Sequence, residues 1–481
     1  MNKTLYTAFA LLMGTLATTP ATTAVAQQPS AVAQQTSAVA QQTSASAQQP
    51  SAVADQPADS PWSLRRCIDY AIDHNINIKQ TANAAEQGAV EVNTRRWARL
   101  PNLNASAGQN WNWGRTQTAI KDEATGDYST VYVNTSSHGT SLSVGTSVPL
   151  FTGMQLPNQL AYAKLNLKAA LADLQKAKDD ISVQIASAYL QTLYRLETYQ
   201  VAQGQTELSR QQLARIEALL RLGKASEAEV ADARSRLAQD EMSQVEAHNS
   251  YQLGLLDLSQ LIELDTPEGF QLERPAVELT LQPLTPPAEV TQTALATKAS
   301  IQAARHRLDA SRHAIRIAQS AYYPQLSLNG SLGTSYYSTI NRTFSQQMND
   351  NFNKYVGFSL SVPIFNRFST RNQVRTARLQ QQNYALQLEG AKKALYKEVQ
   401  QAWYNATAAQ AKYASSTAAL QASTEAFRLM TQKYESGQAN AVEYSEAKQN
   451  LLRAQSDELY AKYNYLFSTK ILNFYNGQPI E

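Results

Sequence analysis

Five histidines and a single cysteine are the side chains most able to hold a metal or attack a substrate. His306 and His313 stand seven apart in a helical stretch and share a face. No cysteine or carboxylate set accompanies them, and His74, His138 and His248 fall at no ligand spacing. Cys67 has no second thiol to pair with and reads as a small helix residue. The chain holds no phosphate-cradling loop, no Gly-x-Ser-x-Gly and no Cys/His pair. These residues predict neither catalysis nor a bound cofactor or metal, so function must be sought in architecture.

The bulk properties narrow the class. The 42 basic and 39 acidic residues leave a formal charge of +3, with no pull toward nucleic acid. No internal run approaches the ~20 apolar residues of a spanning helix, so a membrane crossing would have to be a barrel. Residues 1–26 read as a secretory signal: Lys3, an apolar stretch from Leu5 to Leu16, and Ala24-Val25-Ala26 as the cleavage site. Residues 27–60 repeat Gln-Gln-Pro/Thr-Ser-Ala units that cannot bury a core, and a tether is their simplest reading.

The rest is written twice. Val148-Pro149-Leu150-Phe151 returns as Val362-Pro363-Ile364-Phe365, and Leu222-Gly223-Lys224-Ala225 as Ser436-Gly437-Gln438-Ala439, both 214 residues later. Upstream, Leu100-Pro101-Asn102-Leu103 corresponds to Tyr323-Pro324-Gln325-Leu326 at a different offset, which puts the length change in a loop before Val-Pro. The first repeat is expected over 61–270: an opening helix capped by Ser63, strands at about 101–115 and 138–151, a long helix 155–222 and a helix 225–263. A linker follows at 271–287. The second repeat, 288–481, has an opening helix, strands at about 324–337 and 354–366, a long helix 369–435 and a helix 439–475.

In the strands, Leu103, Ala105, Ala107, Trp111 and Trp113 alternate with Asn and Ser. The return strand sets Leu142, Val144, Val148 and Leu150 against small polar residues. Such alternation suits a barrel with an apolar exterior and a wet interior. The alternative is the edge of a soluble sandwich. Trp111, Trp113, Tyr336, Tyr337 and Tyr355 near strand ends favour a membrane girdle. Thr116–Ser137, with Lys121, Asp122, Glu123 and Asp127, and Ser338–Asn353 read as exposed loops.

Leu160, Leu167, Leu174, Ile181 and Ala188 recur every seven residues, the seam of a coiled coil. A rod of about 66 residues is roughly 100 Å long, a tube wall or stalk rather than a compact domain. Gly223 and Gly437 break the two rods. The opening and closing helices together match one rod in length and are expected to stack beside it. Four strands per chain are too few for a barrel, so the chain must self-associate, and three copies would supply twelve strands.

The ordered set of Val-Pro strand ends and Gly turns, twice at constant spacing, resembles the TolC family of outer-membrane factors over residues 62–476. The resemblance implies a mainly α fold with a membrane β-barrel: a trimeric α-helical barrel of long coiled-coil hairpins plus a 12-stranded barrel, four strands per chain. It implies a homotrimer in the outer membrane, contacting its lipid and extending into the periplasm. It also implies docking of a periplasmic adaptor and an inner-membrane pump on the turns Leu222, Gly223, Lys224, Ser436, Gly437 and Gln438, for efflux or type I secretion. In the family, acids after the second Gly turn form constricting rings. Those positions are Glu443 and Glu446 here, with Glu229 and Asp232 their first-repeat counterparts. The family's arginine is Ala439, which puts its latch in doubt. The plainer reading of Glu443 and Glu446 is acids favoured by a helix N-terminus. The competing function is a non-pore-forming stalk or surface adhesin.

Overall fold

The computed structural model describes residues 61–121, 126–264, 269–274, 281 and 283–480. The expected signal and Gln/Ser/Ala-rich segments, Asp122 and Glu123, and parts of the 271–287 linker lie outside the described residues.

The first repeat contains α1 (Leu64–His74), α2 (Ile76–Trp97), β1 (Asn102–Lys121), β2 (Tyr128–Phe151), α3 (Gln155–Arg221) and α4 (Glu227–Leu261). The second contains α5 (Pro287–Thr297), α6 (Ala299–Ser320), β3 (Gln325–Tyr337), α7 (Phe344–Asp350), β4 (Asn353–Ser361), α8 (Ser369–Glu435) and α9 (Ala441–Tyr475). The rods α3 and α8 are 67 residues each and α4 and α9 are 35 each. Both second-repeat members begin and end 214 residues after their counterparts. Pro157 sits in the first turn of α3, where a missing N–H is tolerated.

Each opening helix is broken in two, where one continuous helix is expected from the pattern. The breaks fall at Asn75 and Lys298, equivalent positions with nearly equal backbones (ψ 128 and 129). Their chemistry differs. Asn75 is buried, and its Oδ1 accepts from Asn77 N at 2.9 Å and Ile78 N at 3.2 Å, capping α2. Lys298 makes no cap. Its Nζ lies 3.1 Å from the Phe474 ring centroid. Burial pulls its pKa down to about 8, against the raising pull of Asp179, Asp180 and Glu398.

The four strands form one antiparallel sheet in the order β1-β2-β3-β4. Ala105 pairs with Val144, Val144 with Leu332, Leu328 with Phe358 and Leu326 with Leu360, which gathers the apolar side chains on one face. Leu103, Val356, Phe358 and Leu360 stand largely exposed there. On the other face Ser106 and Ser143 share a hydrogen bond of 2.7 Å. Among the described residues no helix is long and apolar enough to span a membrane.

Four details depart from the sequence reading. Thr116–Ser137 is mostly strand: β1 and β2, at 20 and 24 residues, continue past β3 as a two-stranded ribbon. The Ser338–Asn353 stretch holds the short helix α7, capped by Thr343. Val362–Phe365 is not strand, because β4 is an edge and its only partner, β3, begins at Gln325 opposite Ser361. A register shift between Pro149 and Phe151 places Phe151, not Leu150, opposite Leu326. Tyr336 shares the face of Trp111 and Trp113. Tyr337 pairs with Gly139, and Gly139 with Asn110, so it lies on the polar face; Tyr355, opposite Ser331, does too. The outer girdle is therefore Trp111, Trp113 and Tyr336.

Below the sheet, α2 then α4 run along α3, and α6 then α9 lie between α3 and α8. Apolar packing concentrates at mid-rod, where opening and closing helices meet. One cluster joins Ile68, Ile185, Leu193, Leu258 and Ile262; the other joins Val290, Ile301, Leu395, Val399 and Leu472. Cys67 is fully buried in the first, and burial pushes its thiol up to about 12, which leaves it unreactive.

The cap at the first break is separable from this packing. Asn75→Ala should cost about 1 kcal/mol through two unsatisfied N–H groups, and Asn75→Asp should restore most of it. Thermal unfolding followed by circular dichroism in detergent reads the difference. Equal midpoints for all three proteins would mean that packing alone sets the break.

Candidate functional site

At the end of the rods opposite the sheet, both chains of helix reverse through the same turn. Gly223 and Gly437 each have φ +74, the left-handed region that a side chain disfavours. Lys224 N donates to Leu219 O at 2.8 Å and Gly223 N to Leu220 O at 2.9 Å. In the second copy Gln438 N donates to Lys433 O and Gly437 N to Tyr434 O. These paired bonds are the Schellman closure of a helix C-terminus. Leu222, Gly223, Lys224, Ser436, Gly437 and Gln438 are all exposed, Leu222 by 70 %.

The acids beyond the turns divide into two kinds. Glu443 Oε2 accepts from Asn440 N at 3.1 Å, while Asn440 Oδ1 accepts from Glu443 N at 2.9 Å. Glu229 and Ser226 make the same reciprocal pair. Both glutamates therefore complete capping boxes that start α9 and α4. The signature was in the sequence, as Ser-x-x-Glu and Asn-x-x-Glu. Asp232 is paired with Arg236 at 2.8 Å. Glu446 is exposed and has no hydrogen-bond or ion-pair partner among the described residues. All four project near one end of the molecule, but one chain does not bring them into a ring.

What the chain does assemble is a polar seam between its two hairpins. Lys448 Nζ on α9 donates to Ser209 Oγ on α3 at 2.6 Å and to Asp240 Oδ2 on α4 at 2.9 Å. Ser209 also donates to Asp240. The lysine and aspartate side chains are only 16 % and 23 % exposed, so the link is largely shielded from water. Nearer the tip, Gln212 Nε2 donates to Tyr434 Oη at 3.0 Å, and Arg215 lies over the Tyr434 ring and pairs with Glu435 at 3.6 Å. Tyr434 stacks on Tyr444 at 4.7 Å, and burial raises the Tyr444 phenol above its usual range. Farther up, Tyr463 donates to Glu197 at 2.6 Å, beside Lys462 at 3.7 Å.

Sequence reasoning missed Lys448, Asp240 and Ser209, which come from three helices with no local motif. One signal was available. Asp240 stands where the second copy has the buried Ala454, so the repeat breaks its own pattern there. His313 is bonded to Asn158 Oδ1 at 3.0 Å. Among the described residues no three His, Cys, Asp or Glu side chains converge to hold a metal.

The profile of the outer membrane efflux protein family matches residues 67–262 and 290–477, the two repeats. Outer membrane protein OprJ of Pseudomonas aeruginosa is 25% identical over 406 residues, covering 80% of this chain and 78% of that protein. Outer membrane protein TolC of Escherichia coli is 24% identical over 307 residues, 61% of this chain and 60% of its own. Among solved structures, the CmeC outer membrane channel of Campylobacter jejuni superposes with a TM-score of 0.72 at 19% identity, covering 86% of this chain and 85% of that one. The outer membrane protein VceC of Vibrio cholerae gives 0.69 at 19%, covering 87% and 97%. These superpositions show that the chain shares their fold. With both repeats matched by the family profile, the chain belongs to the outer membrane efflux protein family and is an outer-membrane channel component whose helices extend into the periplasm.

Proposed function

We propose that three copies close into one conduit, a 12-stranded barrel above a helical tunnel, through which exported material passes without chemistry. The observation that carries this reading is the pair of unmatched flanks. Among the described residues β1 pairs only with β2 and β4 only with β3, so the sheet ends in two open edges. Unpaired peptide groups in lipid cost several kcal/mol each, and closure by further copies removes them. The helical layer has matching ends. On one flank α8 exposes Leu379, Leu386, Tyr396 and Tyr404; on the other, α2 and α4 expose Val90, Met242, Val245 and Leu253. A head-to-tail ring lays one flank on the next.

The exposed Gly turns suit docking of a periplasmic adaptor, with an inner-membrane pump supplying the energy. Two uses are open to this chain: efflux, in the family's description, or secretion of a polypeptide, one relative being the alkaline protease secretion protein AprF. The gate is placed at the tips. Glu443 and Glu446, with Glu229 and Asp232 behind them, would ring the entrance three at a time and select for cations. With Ala439 in place of the family's arginine, closure rests on the seam, chiefly Lys448 with Asp240 and Ser209.

Two measurements test the gate. In planar bilayers, Glu443→Ala/Glu446→Ala should raise conductance or reduce cation selectivity; no change in either removes the carboxylates from the gate. Lys448→Ala and Asp240→Ala should each loosen the seam by about 1–3 kcal/mol, because each strands a shielded partner, and the double variant should cost less than the two together. Hydrogen exchange across α9 reads this, alongside a higher resting conductance. Strict additivity would show that the two residues do not act as a pair.

A further inference from the structure

We infer that the membrane-facing ends of the helices form a basic collar that binds the headgroups of anionic phospholipids in the periplasmic leaflet. This rests on the membrane placement of the sheet. Near the strand bases, residues 92–101, 152–172, 310–324 and 362–388 hold eleven Lys and Arg and no Asp or Glu. In a chain of 42 basic and 39 acidic residues, that is a segregated charge.

Some of these cations are answered from below: Arg95 pairs with Glu91 and Arg312 with Asp309. Those nearest the sheet are not. Arg96, Arg99, Arg367 and Arg371 are exposed, with no carboxylate partner among the described residues. They lie within ten residues of the strand bases along the chain. Because all four helix ends lack acids, a neighbouring copy of the same chain has none to offer at this level. Among the described residues no carboxylate answers these arginines at this level, and the phosphate of a lipid is the anion present at that depth.

Two further observations point the same way. Trp97, Leu100, Tyr322, Tyr323, Phe365 and Phe368 are each more than half exposed at this level, the aromatic belt of a membrane interface with arginines just beyond it. The backbone at Arg367 is also left-handed, φ 54, followed by Phe368 at φ 61. The first copy repeats this pair as Gly153 and Met154, φ 61 and 65. There glycine is required, since a Cβ would fall 2.6 Å from Ser320 O. The second copy keeps an arginine in a conformation that side chains disfavour, which marks its guanidinium as the retained feature.

The test uses the full-length oligomer reconstituted from an equimolar mixture of phosphatidylethanolamine and phosphatidylglycerol, then re-extracted and washed. The ratio of phosphatidylglycerol to phosphatidylethanolamine in the co-purified lipid should be roughly fivefold that of the mixture. Arg96→Gln/Arg99→Gln/Arg367→Gln/Arg371→Gln should bring the ratio to that of the mixture while leaving the heat-modifiable oligomer and its conductance intact. Arg367→Gly relieves backbone strain, so it should lower the enrichment with no loss of thermal stability. No enrichment by the unaltered protein, or full enrichment by the fourfold variant, overturns the collar. So does an altered ion selectivity with unaltered lipid, which would put the arginines in the conduit. Enrichment by a protein that conducts no ions would sustain the collar and count against the conduit instead.

Discussion

Everything in this fold follows from the cost of an unpaired peptide group in hydrocarbon. Among the described residues the chain brings four strands, and the first and last each leave one edge bare. In the proposed ring those edges are met by further copies of the chain. The helices below obey the same geometry. They form a layer, not a bundle, because a bundle would close on itself and could not continue the curvature that the sheet needs. Exposed leucines and tyrosines on the two flanks suit the proposed closure by further copies.

A layer roughly 100 Å long has no single core. Its apolar packing is densest at mid-rod, where Ile185, Leu193 and Leu258 meet on one side and Ile301, Val399 and Leu472 on the other. From there to the tips the two hairpins are joined by polar links: Glu197 with Tyr463, Asp240 with Lys448, Gln212 with Tyr434. The two kinds of contact behave differently under motion. Apolar packing loses free energy continuously as surfaces part. A polar link breaks over a short distance, after which each partner recovers water. The sheet end and mid-rod are thereby held, while the tip half has discrete contacts to make or lose.

Long-range periodicity was legible in the sequence. The 214-residue offset predicted both rods and both glycine turns, because a long helix tolerates few other residue patterns and a left-handed turn favours glycine. Alternation found the apolar strand face, but not which way single residues point once a bulge or an unpaired edge intervenes. Leu150 is displaced for that reason, whereas Tyr337 and Tyr355 lie on the polar face by simple alternation, so nearness to a strand end alone did not identify the girdle. The breaks at Asn75 and Lys298 carried no proline or glycine to announce them. At the tips both the acids and their capping spacing, Ser-x-x-Glu and Asn-x-x-Glu, were legible. The Lys448–Asp240–Ser209 link is tertiary, and no local spacing encodes it.

The informative positions are those where the two repeats disagree. A duplicated scaffold needs the same residue twice wherever the need is only to fold, as the paired Gly turns illustrate. Asp240 against Ala454 and Arg367 against Gly153 break that rule, and so does Lys298 against Asn75. In each pair one member is the residue that packing or backbone geometry favours: a buried alanine, a glycine at positive φ, a capping asparagine. The other is charged and strained or buried, held against local preference. A charge kept at such a cost in only one repeat is not explained by the fold common to both. It belongs to what differs between them: which hairpin holds the other at the tip, and which helix end meets the membrane.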